Sequence, residues 1–113
     1  MGDLMKKTDK TLIELVKKLK KRKEGFYQAL ARYLSAARRK RTAVNIAKID
    51  KIGKEGELIV VPGKVLGNGI LTKNISVCAY SFSKSAEKKI KERGNIVSWD
   101  ELIEKNMRGR III

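Results

Sequence analysis

The stretch Leu58-Ile59-Val60-Val61-Pro62-Gly63-Lys64-Val65-Leu66 decides how this chain is read. Leu58 to Val61 is a β-branched run and reads as extended chain. Pro62-Gly63 interrupts it and fits a type II turn, because proline presets φ at one position and glycine accepts a positive φ at the next. Lys64-Val65-Leu66 then resumes the extended chain, and Gly67-Asn68-Gly69 reads as a second turn. Downstream, from Asn74 to Phe82, Ile75, Val77 and Ala79 alternate with Cys78, Tyr80 and Phe82. Both sets are largely apolar, so this segment reads as a central strand covered on both faces. Ser83 is a good N-cap for a helix from Lys84 to Arg93, which Gly94-Asn95 ends. Ile96-Val97 reads as a short strand. Ser98-x-x-Glu101 reads as a capping box for a helix running to about Asn106, with Val97 and Leu102 as its hydrophobic staple. Arg110 to Ile113 reads as a closing strand. Upstream, Val44 to Ile46 reads as a strand, Ala47 to Ile52 as a helix and Gly53 to Glu57 as a polar loop. Strands alternating with short helices predict an α/β domain.

The first forty residues differ. Thr11-x-x-Glu14 is a capping box, and Leu12, Leu15, Val16 and Leu19 form one apolar stripe at helical spacing. Lys17, Lys18, Lys20, Lys21, Arg22 and Lys23 crowd the remaining surface. Gly25 is expected to end or bend this helix. A second helix should follow with Phe26, Ala29, Leu30, Tyr33, Leu34 and Ala37 on its apolar face, closed by Arg38-Arg39-Lys40-Arg41. The predicted organisation is a basic helical arm over residues 1–43 and a compact α/β domain over 44–113.

Charge separates the two parts. The chain of 113 residues carries 27 Lys and Arg against 12 Asp and Glu, a net of +15. Residues 1–54 hold 17 and 5 of these, a net of +12, and residues 55–113 hold 10 and 7, a net of +3. A small domain needs only about 2–8 net charges for solubility. The excess costs self-repulsion unless a polyanion screens it. The sequence has no His and a single Cys, which excludes Ser-His-Asp triads, Cys-His pairs, histidine metal sites and intrachain disulfides. No metal, cofactor or small-molecule substrate is expected. No stretch approaches the roughly 20 apolar residues of a membrane span, and Met1 to Asp9 lacks the apolar stretch of a signal peptide.

Four adjacent cations at Arg38, Arg39, Lys40 and Arg41 suit a phosphate clamp, since guanidinium forks match phosphate oxygens in pairs. A solvated helix end would need only one or two. The segment from Val61 to Gly69 is rich in glycine but matches neither a P-loop nor a dinucleotide-binding fingerprint. It reads equally as two tight turns or as a place where nucleic-acid backbone approaches main-chain N–H groups, with Lys64 and Lys73 alongside. The carboxylates fall into i,i+4 pairs with cations, namely Glu14–Lys18, Glu87–Lys91, Glu101–Lys105 and Glu104–Arg108, and none is a candidate for catalysis. Cys78 reads as a core residue, Trp99 as packing, and Tyr33 as part of the apolar stripe of the second helix. Tyr27 and Tyr33 are candidates to stack on a base, with Tyr33 fitting the apolar stripe better. The stripe over residues 12–19 is narrow and without interfacial aromatics, so packing explains it better than a membrane surface does.

The strings Arg38-Arg39-Lys40-Arg41 with Val44-Asn45, Val60-Val61-Pro62-Gly63-Lys64-Val65-Leu66-Gly67-Asn68-Gly69 and Val77-x-Ala79-x-Ser81-Phe82-Ser83 together resemble the archaeal and eukaryotic large-subunit ribosomal protein family eighteen-e. That family shares its domain with bacterial ribosomal protein fifteen. The resemblance covers essentially the whole chain. Two positions depart from the family pattern: Ala36-Ala37 stands where a proline precedes the basic tetrad, and Asn106-Met107 where Asn-Pro is usual. Both bear on helix ends.

The resemblance implies a structural, non-enzymatic constituent of the large ribosomal subunit, bound to large-subunit ribosomal RNA and to neighbouring large-subunit proteins in the cytoplasm. It also implies one compact α/β domain of irregular strand–strand–helix turns with a basic N-terminal helical segment. The residues expected to meet RNA are Lys20, Lys21, Arg22, Lys23, Arg32, Arg38, Arg39, Lys40, Arg41, Asn45, Lys64, Asn68, Lys73 and Asn74. The alternative is a general nucleic-acid-binding protein of the chromatin or RNA-chaperone kind.

Overall fold

The computed structural model describes residues 13–36 and 43–113, and the chain divides into two compact units, residues 1–40 and 41–113. The Thr11 end of the first capping box and the Arg38–Arg41 tetrad lie outside the described residues.

In the first unit, helix α1 occupies residues 13–20 of the described part and α2 spans Gly25–Ala36. Leu15 and Leu19 are buried, four residues apart on one face. The chain leaves α1 before Gly25, which is the first residue of α2 and not the end of α1. Gln28 makes the stop: its Nε2 donates to the Lys20 carbonyl at 3.0 Å and to the Arg22 carbonyl, so a side chain from α2 satisfies the last acceptor of α1 and one in the turn that follows. The apolar stripe of α2 is Tyr27, Leu30, Ala31 and Leu34. It lies one residue away in phase from the expected one, and Tyr33 is 40% exposed, not core. One residue is about 100° of helical turn, enough to exchange a flank for the buried face.

The second unit is built on a parallel sheet. Its elements are β1 (Ala43–Asn45), α3 (Ile46–Ile52), β2 (Leu58–Leu66), β3 (Ser76–Phe82), α4 (Lys84–Arg93), β4 (Asn95–Ile96), α5 (Trp99–Glu104) and β5 (Arg110–Ile111). The order is β1-β2-β3-β4, with β5 also paired to β2, and all pairings are parallel. Pro62-Gly63 is not a turn. Strand β2 runs through it without reversing, and neither residue has positive φ. Between Val61 and Lys64, β2 uses three steps where β3 uses two, from Ala79 to Ser81, so the dipeptide is a bulge carrying one extra residue. On the other edge, β5 pairs with Ile59 and Val60 while β1 pairs with Lys64 to Leu66. Two short strands thus cover one edge end to end, and Pro62, which has no N–H to donate, sits at their junction.

One buried cluster joins Val44, Ile46, Ile49, Ile59, Val61, Leu71, Ile75, Val77, Ala86, Ile90 and Ile112. It brings α3, α4 and the β2–β3 connection together with the sheet. Val60 and Cys78, partners in register, are also fully buried. Burial pushes the Cys78 thiol up to about 12, with the Glu101 carboxylate adding to the shift. At pH 8 the native thiol is therefore expected to resist iodoacetamide and to react only in denaturant. Mass spectrometry of protein quenched with and without urea checks this, and rapid native alkylation would contradict it.

The caps match the sequence reading. Ser83 accepts from the Ala86 N–H at 3.1 Å, and Ser98 from the Glu101 N–H at 3.1 Å. The Glu101 carboxylate binds Lys105 instead of returning to the cap. Helix α5 ends at Glu104, two residues before the expected Asn106, which adopts a left-handed φ of 53°. Glu104 and Arg108 consequently do not share a helix, whereas Glu87–Lys91 at 2.8 Å and Glu101–Lys105 at 2.9 Å form as expected.

Candidate nucleic-acid interface

In the first unit, Lys20, Lys21, Lys23 and Arg32 are exposed. Arg22 is half-buried, its guanidinium 5.6 Å from the centre of the Tyr27 ring, a cation–π distance. Tyr27 itself is fully buried, edge-on to Phe26 at 5.1 Å. It is therefore closed to base stacking, and Tyr33 is the aromatic ring of α2 that faces outward.

In the second unit, three of the expected residues gather at the C-terminal ends of β1 and β2. Asn45 pairs with Leu66 in register, Lys64 is the exposed residue of β2, and the Asn68 carbonyl accepts from the Ala47 N–H at 3.1 Å. Asn45 holds the N-cap position of α3 without using its side chain as a cap, so its carboxamide stays available. Asn74 lies at the opposite end, where its carbonyl accepts from the Gly56 N–H at 2.7 Å and its N–H donates to Glu55 Oε2 at 3.0 Å. Lys73 differs from the others. Its ammonium donates to the carbonyls of Asp50 at 2.7 Å and Gly53 at 3.0 Å, closing the C-terminal end of α3.

These contacts trace a connection that sequence reading took for isolated turns. Parallel strands need a crossover, usually with a helix in it. Here residues 67–75 cross from β2 to β3 as a helix-free strap along α3. Asn68 meets Ala47, Thr72 meets Asp50, and Lys73 meets Asp50 and Gly53. Gly69, at φ 110°, passes so close that a Cβ there would lie 2.6–2.9 Å from Ala47 atoms. From the other side, the Lys89 ammonium donates to the Gly67 carbonyl at 2.7 Å and the Gly69 carbonyl at 2.8 Å. Lys89 escaped sequence reading because nothing local marks a lysine that donates to a loop some twenty residues away. Lys84 and Lys88, one turn apart on the exposed side of α4, are further cations whose i,i+4 spacing was legible.

Asp50 anchors the strap, with its carboxylate accepting from both the Thr72 N–H and the Thr72 hydroxyl at 2.9 Å. The Thr72 backbone N–H is the largest cause holding the Asp50 pKa below its ordinary value; the Thr72 hydroxyl and Lys73 also lower it. Glu57 is lowered chiefly by the Lys54 N–H and further by Arg110, whose Nε lies 3.2 Å away. A carboxylate with a depressed folded-state pKa adds stability that is complete above its unfolded value and is lost as pH falls through the folded one. Thermal stability should therefore hold from neutrality down to about pH 5 and decline below it. Asp50→Asn should flatten part of that acid limb. Melts between pH 3 and pH 7 check this, and an identical acid limb in the variant would contradict it.

Among the described residues no group of three or more His, Cys, Asp and Glu is placed to hold a metal, and no helix is long and apolar enough to cross a membrane. The groups open to a ligand at the ends of the sheet are the amides of Asn45, Asn68 and Asn74 and the Lys64 ammonium, which suit ribose and phosphate. Residues 27–98 match a model of the family that unites ribosomal proteins fifteen and eighteen-e of the 50S subunit with ribosomal protein twenty-seven-A of the 60S subunit. The chain belongs to this family. Large ribosomal subunit protein eL18 of Archaeoglobus fulgidus is 38% identical over 110 residues, covering 93% of this chain and 94% of the relative. The protein of the same name from Haloarcula marismortui is 40% identical over 109 residues, with 93% and 94% covered. That from Nanoarchaeum equitans is 41% identical over 88 residues, with 76% and 75% covered. Family membership carries a structural role in the large ribosomal subunit.

Proposed function

We propose that this protein binds and stabilises large-subunit ribosomal RNA through phosphate and shape contacts, beside neighbouring large-subunit proteins in the cytoplasm, without catalysing a reaction. The +15 charge carries the reading, because such an excess in a small protein fits a polyanionic partner. The relatives' names as large-subunit proteins make ribosomal RNA the polyanion of choice. The proposed contacts are Lys20, Lys21, Arg22, Lys23 and Arg32 in the first unit, the Arg38–Arg41 tetrad at the boundary between the units, and Asn45, Lys64, Asn68 and Asn74 in the second. Lys73, whose ammonium is turned inward, belongs to the same surface through its backbone.

The A-form major groove is too deep and narrow for side chains, so recognition rests on phosphates, the 2′-hydroxyl and shape. With about eight phosphates neutralised, the log–log slope of affinity against salt should be about −6 to −7. Filter binding of the full chain to large-subunit ribosomal RNA, with duplex DNA as competitor, tests this. Preference for the ribosomal RNA at physiological salt is expected. Equal affinity for the duplex DNA would favour a general nucleic-acid binder instead.

A further inference from the structure

The strap over residues 67–75 has an outside and an inside. Asn68, Ile70, Thr72 and Asn74 are exposed, with Ile70 at 72%, while Leu71 and Ile75 are buried and Lys73 is turned inward. Its outward row is therefore two amides, one aliphatic side chain and Thr72, whose hydroxyl is held by the Asp50 carboxylate; the row itself carries no charge, and the Asp50 and Glu55 carboxylates border it. Neither the Asn68 nor the Asn74 carboxamide has a partner among the described residues. The backbone beneath is fixed from both sides by Asp50, Lys73, Lys89 and the Ala47 N–H. Both lysines donate to backbone carbonyls, so neither ammonium points out of the strap.

We propose that residues 67–74 form a preorganised, uncharged ridge that docks in an RNA minor groove, Asn68 and Asn74 exchanging hydrogen bonds with ribose 2′-hydroxyls and Ile70 packing on sugar faces, while Lys73 and Lys89 act as internal struts and not as phosphate contacts. The inference rests on the RNA-binding reading above. A carboxamide both donates and accepts, as a 2′-hydroxyl does. The minor groove of A-form RNA is wide, shallow and lined with those hydroxyls. Asn68 follows the C-terminal end of β2 and Asn74 precedes the N-terminal end of β3, a parallel neighbour, so the two lie toward opposite ends of the sheet and the row runs along a groove instead of meeting one nucleotide. The centre of a protein–protein patch is by contrast rich in aromatic and apolar side chains, and this ridge has a single one. Preorganisation matters because a strap that is already ordered loses little conformational entropy on docking.

The test uses the full chain, in vitro transcribed Archaeoglobus fulgidus large-subunit ribosomal RNA, and filter binding at several salt concentrations. Amide hydrogen exchange is measured on the free protein in parallel. The double variant Asn68→Ala with Asn74→Ala is expected to weaken binding about 10-fold, as the loss of two net hydrogen bonds would, with the salt slope and the exchange pattern unchanged. Lys89→Met and Lys73→Met should speed exchange at the Ala47 and Thr72 amides and weaken binding without changing the slope. Lys64→Met should instead reduce the slope by about 1. A slope reduced by Lys73→Met or Lys89→Met would make those lysines phosphate contacts and overturn the strut assignment. Unchanged affinity in the asparagine double variant would overturn the ridge and leave that face to a neighbouring protein. Failure of the wild-type chain to bind would defeat the RNA reading itself, and is seen before any variant is compared.

Discussion

Reversing Arg38, Arg39, Lys40 and Arg41 to Glu is expected to abolish ribosomal RNA association while the protein still folds. The change moves four local charges from +4 to −4. If each cation meets a phosphate, removing the four contacts alone takes about 3 units from the salt slope. The introduced repulsion adds to that, so affinity at physiological salt should fall by on the order of 10³-fold or more. Stability should change by about 0.5 kcal/mol or less, because four adjacent cations do not sit in an apolar core. Filter binding and a urea melt on the same preparation separate the two effects. Retained affinity would place the dominant interface away from the tetrad. Loss of the folded transition would show that the tetrad has a structural role.

The second large effect is on stability. Gly94→Ala is expected to cost about 3 kcal/mol, although Gly94 has no positive φ. A Cβ at Gly94 would overlap the Ile75 carbonyl and lie 2.9 Å from its carbon and 3.0 Å from the Ile75 nitrogen. All three are backbone atoms, so no rotamer change relieves the overlap. Strand β4 must move off β3, giving up the Asn95 N–H bond to the Ile75 carbonyl at 3.3 Å and the Val97 N–H bond to the Val77 carbonyl at 2.9 Å. For a unit of this size the melting temperature should drop by more than about 10 °C. Gly25→Ala is the control, since nothing lies within 4 Å of the added methyl and a Cβ at the start of α2 restricts only the unfolded chain. Its expected melting temperature equals or exceeds the wild type's. A Gly94→Ala protein as stable as that control would refute the close-packing argument.

What the sequence disclosed, and what it withheld, follows from the range of the forces involved. Helix α4 was legible to the residue because its signals are local: the Ser83 hydroxyl caps Ala86, and Gly94 ends the hydrogen-bond run. The α/β class followed from strands alternating with short helices. The two-faced apolar pattern of β3 correctly placed it inside the sheet, between β2 and β4. Pro62-Gly63 misled because the same dipeptide suits a turn or a bulge. The choice was made by β1 and β5, which are distant in sequence and meet on either side of it. The phase of α2 was misjudged because Phe26, Tyr27, Tyr33 and Leu34 offer two overlapping apolar stripes. The Gln28 bonds to the Lys20 and Arg22 carbonyls and the burial of Tyr27 select one of them. The candidate site was legible as chemistry, in its lysines and amides, but not as direction. That Lys73 and Lys89 turn inward depends on carbonyls of Asp50, Gly53, Gly67 and Gly69 whose placement is tertiary.

Whether RNA holds this protein in the large ribosomal subunit is read out by sedimentation. The tagged full chain is followed through sucrose gradients of a cell lysate at moderate salt, with and without nuclease. Co-migration with the large subunit, lost when nuclease is added, is expected. A profile confined to the light soluble fractions, or one following duplex DNA, would contradict it.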